Sequence, residues 1–244
     1  RDDGIQAIGD ININGWSNIE ITSGEDGIQT RSNFNMTNGN LTIHTYEGSD
    51  ATTFDKDTMS AKGIKAAKVD EFEENATKTI IITGGTIDID SSDDGLHADG
   101  SMYITRGTIN IASGDDGIHS DTILVIGSDN GLERDPEINV NESIEGIESG
   151  NIYVYSGKIK IIALDDGMNA AGGSSHGSSK SHGEHFNPDT GQMEDNFALY
   201  IYGGSIYGNS EGDGLDANCS IYLYGGTHII YHQDAQGNNS ALDR

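Results

Sequence analysis

Pairs of acidic residues set just before a glycine recur along this 244-residue chain. Two carboxylates on one tight turn are the raw material of a divalent-cation site. The turns Asp2-Asp3-Gly4, Glu25-Asp26-Gly27, Asp93-Asp94-Gly95, Asp115-Asp116-Gly117 and Asp165-Asp166-Gly167 carry the pair, whereas Glu145-Gly146 and Asp213-Gly214 keep one acid. If such turns stack, their carboxylates lie about 5 Å apart and repel by ~1 kcal/mol in water, several times more in a protein interior. A lone Asp-Gly merely favours a turn, because the Asp side chain bonds its own backbone. Copies in register call for a compensating cation, and Ca²⁺, which accepts oxygens from carboxylates and carbonyls in flexible geometry, is the one expected.

The spacing assigns three calcium positions. The first joins Asp2 and Asp3 to Glu25 and Asp26; the second joins Asp93 and Asp94 to Asp115 and Asp116, completed by Asp99 and Asp121; the third joins Glu145 to Asp165 and Asp166. In one turn Lys62 replaces the acid, an internal cation where the others would hold a metal. Neither the nonapeptide calcium roll nor a 12-residue EF-hand loop is present.

The elements that must position these turns follow from their repetition. Ser92 to Asp99 returns as Gly114 to Asp121, with Gly95 and Gly117 22 positions apart, and the same signature is centred on Gly4, Gly27, Gly63, Gly146, Gly167 and Gly214. After each glycine comes an apolar residue (Ile5, Ile28, Ile64, Leu96, Ile118, Ile147, Met168, Leu215), then a polar one, then a small one. In, out, in is the pattern of a strand with one buried face. Two more alternating stretches follow in each copy, as in Met102 to Gly107 and Thr108 to Ile111. Three short strands per ~22 residues predict an all-β fold: a single-stranded, right-handed parallel β-helix of about eight coils, forming a rod of roughly 38 Å. One domain is expected over residues 1–244, interrupted by insertions near 48–60, 68–78, 127–136 and 172–196. The last of these carries His176, His182 and His185, which could bind a transition metal or belong to a solvated Gly/Ser loop. The chain starts at Arg1 without Met or a signal segment and ends on what reads as the start of a further turn motif, so it is expected to be processed or truncated.

A second kind of chemistry lies on the outward positions of the middle strand. Asn12 and Asn14, Asn35 and Thr37, then Ile81 and Thr83 give way to Tyr153 and Tyr155, Tyr200 and Tyr202, Tyr222 and Tyr224. Phenol rings offer apolar faces to sugar C–H groups and hydroxyls to sugar hydroxyls. A tyrosine ladder can equally stabilise a sheet, or lie beneath the 172–196 insertion. The outward His97 and His119 are counted with the sugar-facing residues.

Composition narrows the partners. Forty acids against thirteen bases give a formal charge of −27. Nucleic acid is therefore not expected as a partner, since neutralising phosphates takes clustered Lys and Arg. No run approaches the ~20 apolar residues of a membrane span. The single cysteine, Cys219, excludes an intrachain disulfide. Apolar residues make up 34% of the chain, which suits a solenoid better than a sphere because only the narrow interior of each coil is buried.

With its Asp-Asp-Gly-[Ile/Leu]-His-[Ala/Ser] turns followed by Ile-x-Ile-x-Gly-Gly-x-Ile strands, the chain resembles carbohydrate-binding β-helix proteins of bacterial cell surfaces, which bind cellulose and acidic sugars. The fold of that family is similar to that of family 9 polysaccharide lyases. The resemblance implies bound Ca²⁺, a secreted or wall-associated extracellular location, and pectin-like (polygalacturonate) or cellulose-like polysaccharide as partner. A monomer without catalytic activity is expected. In the lyases a Lys base accompanies the calcium, and here no Lys belongs to the Asp93-Asp94 and Asp115-Asp116 turns. Lys62 and Lys65, one coil earlier, are the residues that a Ca²⁺-dependent uronate β-elimination would have to use.

Overall fold

The computed structural model describes residues 2–68, 78–129, 135–171, 185–187, 192–194, 197–232 and 239–243. Within them the chain is all-β: one 20-stranded sheet of parallel strands, plus a separate antiparallel pair, His185–Asn187 with Gln192–Glu194. The parallel strands fall into three columns. The first begins with Ile5–Ala7, Ile28–Thr30, Ile64–Ala66 and Leu96–Ala98, and its register runs Ile5, Ile28, Ile64, Leu96, Ile118, Ile147, Met168, Leu215. Those are the apolar residues that the repeat aligns, so the alignment is also the pairing. Leu242 adds a parallel bridge beyond Leu215.

The second column includes Ile11–Ile13, Phe34–Met36, Ala198–Ile201 and Ser220–Leu223, and the third includes Asn18–Ser23, Asn40–Thr45, Lys158–Ala163 and Thr227–His232. Long strands such as Ile80–Ser91 and Met102–Ser113 run through both. One pass through the three columns is a layer, and the chain pairs each layer with the next. That topology is compatible with the expected parallel β-helix. Inward Ile, Leu, Met and Phe from all three columns form one continuous core, led by the fully buried Phe34, Ile28 and Met36.

Glycine before the first column is a matter of room. A Cβ on Gly95 would stand 2.5 Å from Ile111 Cγ2 and 2.6 Å from the carbonyl oxygen of Gly117. Each acidic turn is thereby pressed against the core and against the turn of the next layer.

Candidate functional site

Chemically distinctive side chains gather on two surfaces: the acidic turns ahead of the first column, and the outward face of the second.

A buried serine fixes four of the acidic turns. Ser91 Oγ donates to the carbonyl of Asp93 at 3.0 Å, and Ser23, Ser113 and Ser210 play the same part toward Glu25, Asp115 and Asp213. The aspartate before the glycine then accepts a backbone N–H from the following layer: Asp3 Oδ1 from Asp26 (3.2 Å), Asp26 Oδ1 from Lys62 (2.9 Å), Asp94 Oδ1 from Asp116 (3.2 Å), and Asp166 Oδ1 from Asp213 (2.7 Å). One oxygen of the column is thus structural. Asp94 and Asp116 do stack in adjacent layers, and the second oxygen is left to meet a cation.

Toward the N-terminal half the chain supplies that cation itself. Lys65 Nζ is 3.2 Å from Asp26 Oδ2. Lys62 Nζ stands 2.7 Å from Asp93 Oδ1 and 2.7 Å from Asp94 Oδ2. Lys56, from the 48–60 insertion, meets both oxygens of Asp115 at 2.9 and 3.0 Å. Lys62 therefore reaches into the neighbouring turn, and two ammonium groups take up Asp93, Asp94 and Asp115 of the second expected calcium position, while Asp116 turns to His119. Burial works against the charge of Lys62, but Asp94 and Asp93 outweigh it and hold its pKa above the ordinary lysine value. Burial likewise works against Asp94, yet Lys62, His97 and His119 keep its pKa well below the carboxylate range. At the first position Asp2 is exposed, while Asp3 takes a hydrogen bond from Gln6 at 2.6 Å.

Asp99 and Asp121 do not turn toward the Asp93–Asp116 cluster. They bond instead to the far nitrogens of the histidines between them: His97 sits between Asp94 (2.7 Å, Nδ1) and Asp99 (3.2 Å, Nε2), and His119 between Asp116 (3.0 Å, Nδ1) and Asp121 (3.1 Å, Nε2). The two imidazoles stack at 4.9 Å. Both belong to the first column, apart from the tyrosines of the second.

The third position differs. Among the described residues no Lys or Arg pairs with Glu145, Asp165 or Asp166. Burial, reinforced by Glu148, Asp116 and Asp166, pushes the Glu145 pKa up to about 9, and burial raises Asp166 to about 6. Asn169 gives its amide N–H to Glu145 at 3.1 Å, which leaves its own buried Oδ1 without a partner. In the following layer Gly212 stands where other turns carry acid, and a Cβ there would lie 2.5 Å from both Asp165 Oδ1 and Asp166 Oδ1. An orphaned amide oxygen beside carboxylates that no described base engages fits an oxygen-seeking ion. Of the three expected positions, this donor set suits Ca²⁺ best.

On the second column the tyrosines form two rows. Tyr153, Tyr200 and Tyr222 stack at 4.8 and 4.9 Å, and Tyr155, Tyr202 and Tyr224 at 4.9 Å, with planes within 13° of parallel. The rings use their faces largely on one another, so the surface they present is mainly edges and hydroxyls, with Tyr224 the most exposed at 62%. That differs from a flat stacking platform, because in-register strands set identical side chains one above the next at the sheet spacing.

At the other end of the same face the outward residues are polar and bonded in ladders, Asn35 to Asn12 at 3.1 Å and Thr37 to Asn14 at 2.9 Å. Beside them lies a groove of about 460 Å³ lined by Trp16, Asn38, Asn40, Thr83, Thr86, Arg106 and Asp135. Its floor is a row of glycines in the left-handed region, Gly39 (φ 102°), Gly85 (95°) and Gly107 (106°). The groove crosses successive layers and is therefore elongated along the stack. Trp16, the chain's single tryptophan, is 91% exposed at its rim. No salt bridge among the described residues engages Arg106. Sequence reasoning missed both. The signal was a lone Trp placed between Gly15 and Ser17, at a turn that has no inward position to offer it.

His176 and His182 lie outside the described residues, as do most of the 68–78 and 172–196 insertions; of His185 only the backbone strand is described. Among the described residues no helix is long and apolar enough to cross a membrane.

Residues 1–117 match the model of a family described as "Carbohydrate-binding domain-containing protein". No curated protein and no solved structure matches the chain. The match supports carbohydrate binding. Its span contains Trp16, Asn38, Asn40, Thr83, Thr86 and Arg106, and ends before the tyrosine rows.

Proposed function

We propose that this protein is a non-catalytic carbohydrate-binding protein that takes an extended polysaccharide along the outward face of its second column. The observation that carries the reading is Trp16: a fully presented indole at the rim of an elongated polar groove, inside the segment similar to a carbohydrate-binding family. An exposed indole at the rim of a groove presents an apolar face, and sugar C–H groups are a ligand that can cover it. Asn38, Asn40, Thr83 and Thr86 supply donors and acceptors for hydroxyls. Arg106, which no salt bridge among the described residues engages, offers a bidentate partner for a uronate carboxylate, which favours an acidic, pectin-like chain over neutral cellulose. Tyr222 and Tyr224 extend the surface toward the other end.

Calcium has two parts in this reading. At Glu145, Asp165, Asp166 and Asn169 it neutralises a carboxylate cluster that no described base reaches. It also offsets the repulsion between a −27 protein and a polyanionic ligand. An extracellular, wall-associated setting would keep such an oxygen site loaded, and the high net charge favours a monomer. The competing reading, a calcium-dependent uronate lyase, needs a neutral amine as base. Lys62 is held protonated by two aspartates and Lys65 is paired with Asp26, and neither lines the groove.

Migration through native gels containing polygalacturonate or a soluble cellulose derivative, with Ca²⁺ or with EDTA, tests the proposal. Retardation by polygalacturonate that is lost in Trp16→Ala and reduced in Arg106→Ala is expected. Unretarded migration in every gel, or the ultraviolet absorbance of unsaturated uronate products, would overturn it.

A further inference from the structure

Behind the acidic turns lies a cluster with different chemistry. His119 Nδ1 faces two carboxylate oxygens at once, Asp116 Oδ2 at 3.0 Å and Glu148 Oε2 at 3.0 Å. All three donor atoms lie within 4.8 Å of one another. The other ring nitrogen, Nε2, is 3.1 Å from Asp121 Oδ1. We propose that Asp116, His119 and Glu148 form a three-donor site for a first-row divalent metal ion, Zn²⁺ in the first place, with Asp121 orienting the imidazole.

First, the ring has a carboxylate at each nitrogen: a metal ion taking the place of the Nδ1 proton would leave Nε2–H on Asp121, and a histidine backed by a carboxylate in this way is the usual arrangement of a metal ligand. A single proton on Nδ1 could serve only one of the two oxygens well. Second, the spacing fits: donors about 2.0–2.1 Å from a tetrahedral ion stand roughly 3.3 Å apart, so closing on Zn²⁺ asks the two His119 contacts to widen by about 0.3 Å, with the two carboxylate oxygens already within 4.8 Å of each other. Third, the preceding layer is an internal comparison. His97 has the same two partners, Asp94 and Asp99, but there Lys62 Nζ shares Asp94 Oδ2. At His119 the chain supplies a second carboxylate in place of the ammonium, because Glu148 pairs with His119 in register. An ion pair in one layer becomes a metal-type donor set in the next.

Calcium is a poor occupant, since it takes 6–8 oxygens and here a ring nitrogen stands between only two carboxylates. Imidazole with carboxylate suits Zn²⁺ and its neighbours in the first row. Three protein donors leave a fourth place to water. The site is separate from the sugar groove and does not depend on the carbohydrate reading.

The test uses the full chain carrying His176→Ala, His182→Ala and His185→Ala, so that the loop histidines cannot contribute, and saturated with Ca²⁺. Titration with Zn²⁺ by calorimetry, and with Co²⁺ by visible absorption, should show one ion per chain and the intense bands of four-coordinate Co²⁺. His119→Gln and Glu148→Gln should abolish those bands, Asp121→Asn should weaken affinity by about 10–100-fold, and His97→Gln should leave it within about twofold. Melting of each variant in EDTA checks folding. Absence of the bands in the parent chain, or titrations unchanged by His119→Gln, would overturn the proposal.

Discussion

The ammonium of Lys62 lies 2.7 Å from Oδ2 of Asp94, a carboxylate of the following layer that is almost wholly buried. Asp93 is just as close on the other side. Removing one partner of a buried ion pair strands the other, at a cost of about 3–5 kcal/mol. Lys62→Ala should therefore lower unfolding free energy by that amount in urea melts. A loss below about 1 kcal/mol would mean that water, not the lysine, satisfies the pair.

Without metal the acidic column should respond to pH in the sense opposite to an ordinary surface carboxylate. The folded pKa of Glu145 is raised from 4.5 to about 9, and that of Asp166 from 3.8 to about 6. A raised acid favours the fold while protonated, so its contribution is present below the unfolded pKa and disappears as pH rises through the folded one. In EDTA the melting temperature should fall between pH 4.5 and about 9. Calcium binds the ionised form, so its stabilising effect should grow over the same window. A flat melting profile in EDTA would contradict this assignment.

Gly212 gives a sharper handle on the calcium position. A Cβ there meets Asp165 Oδ1 and Asp166 Oδ1 at 2.5 Å. Gly212→Ala should push both oxygens out of line and weaken calcium binding by about tenfold or more, read by calorimetry, and should also lower the melting temperature in EDTA, because the same Cβ stands 2.7 Å from the Asp165 backbone and disturbs the Asp166 bond to the Asp213 N–H.

The two aromatic features should separate in experiment. Tyr200 stacks on Tyr153 and on Tyr222, and each aromatic pair is worth about 0.5–1.5 kcal/mol beyond burial. Tyr200→Ala should cost stability while largely sparing polysaccharide retention. Trp16→Ala should do the reverse, since its ring is exposed.

The column logic was legible in the sequence because a stacked sheet makes alignment and contact the same thing: Ile5, Ile28 and Ile64 align in the repeat and pair in the fold. Lys62 was legible as an internal cation, though not that it reaches into the neighbouring turn. What stayed hidden depends on contacts between layers of unequal length. Lys56 comes from an insertion, so no column places it over Asp115. Glu148 follows His119 in the outward column of the repeat, but that alignment does not show its carboxylate turning onto the imidazole. The orphaned oxygen of Asn169 is likewise a property of packing, not of residue type.

Trp16 is the only tryptophan, so indole emission reports on the groove alone. Titrating the calcium-loaded protein with polygalacturonate oligomers, the emission should shift to shorter wavelength and saturate with the same midpoint as binding measured by calorimetry. Saturable binding with unaltered emission would place the sugar elsewhere, and an absence of binding to every polysaccharide tried would remove the carbohydrate role itself.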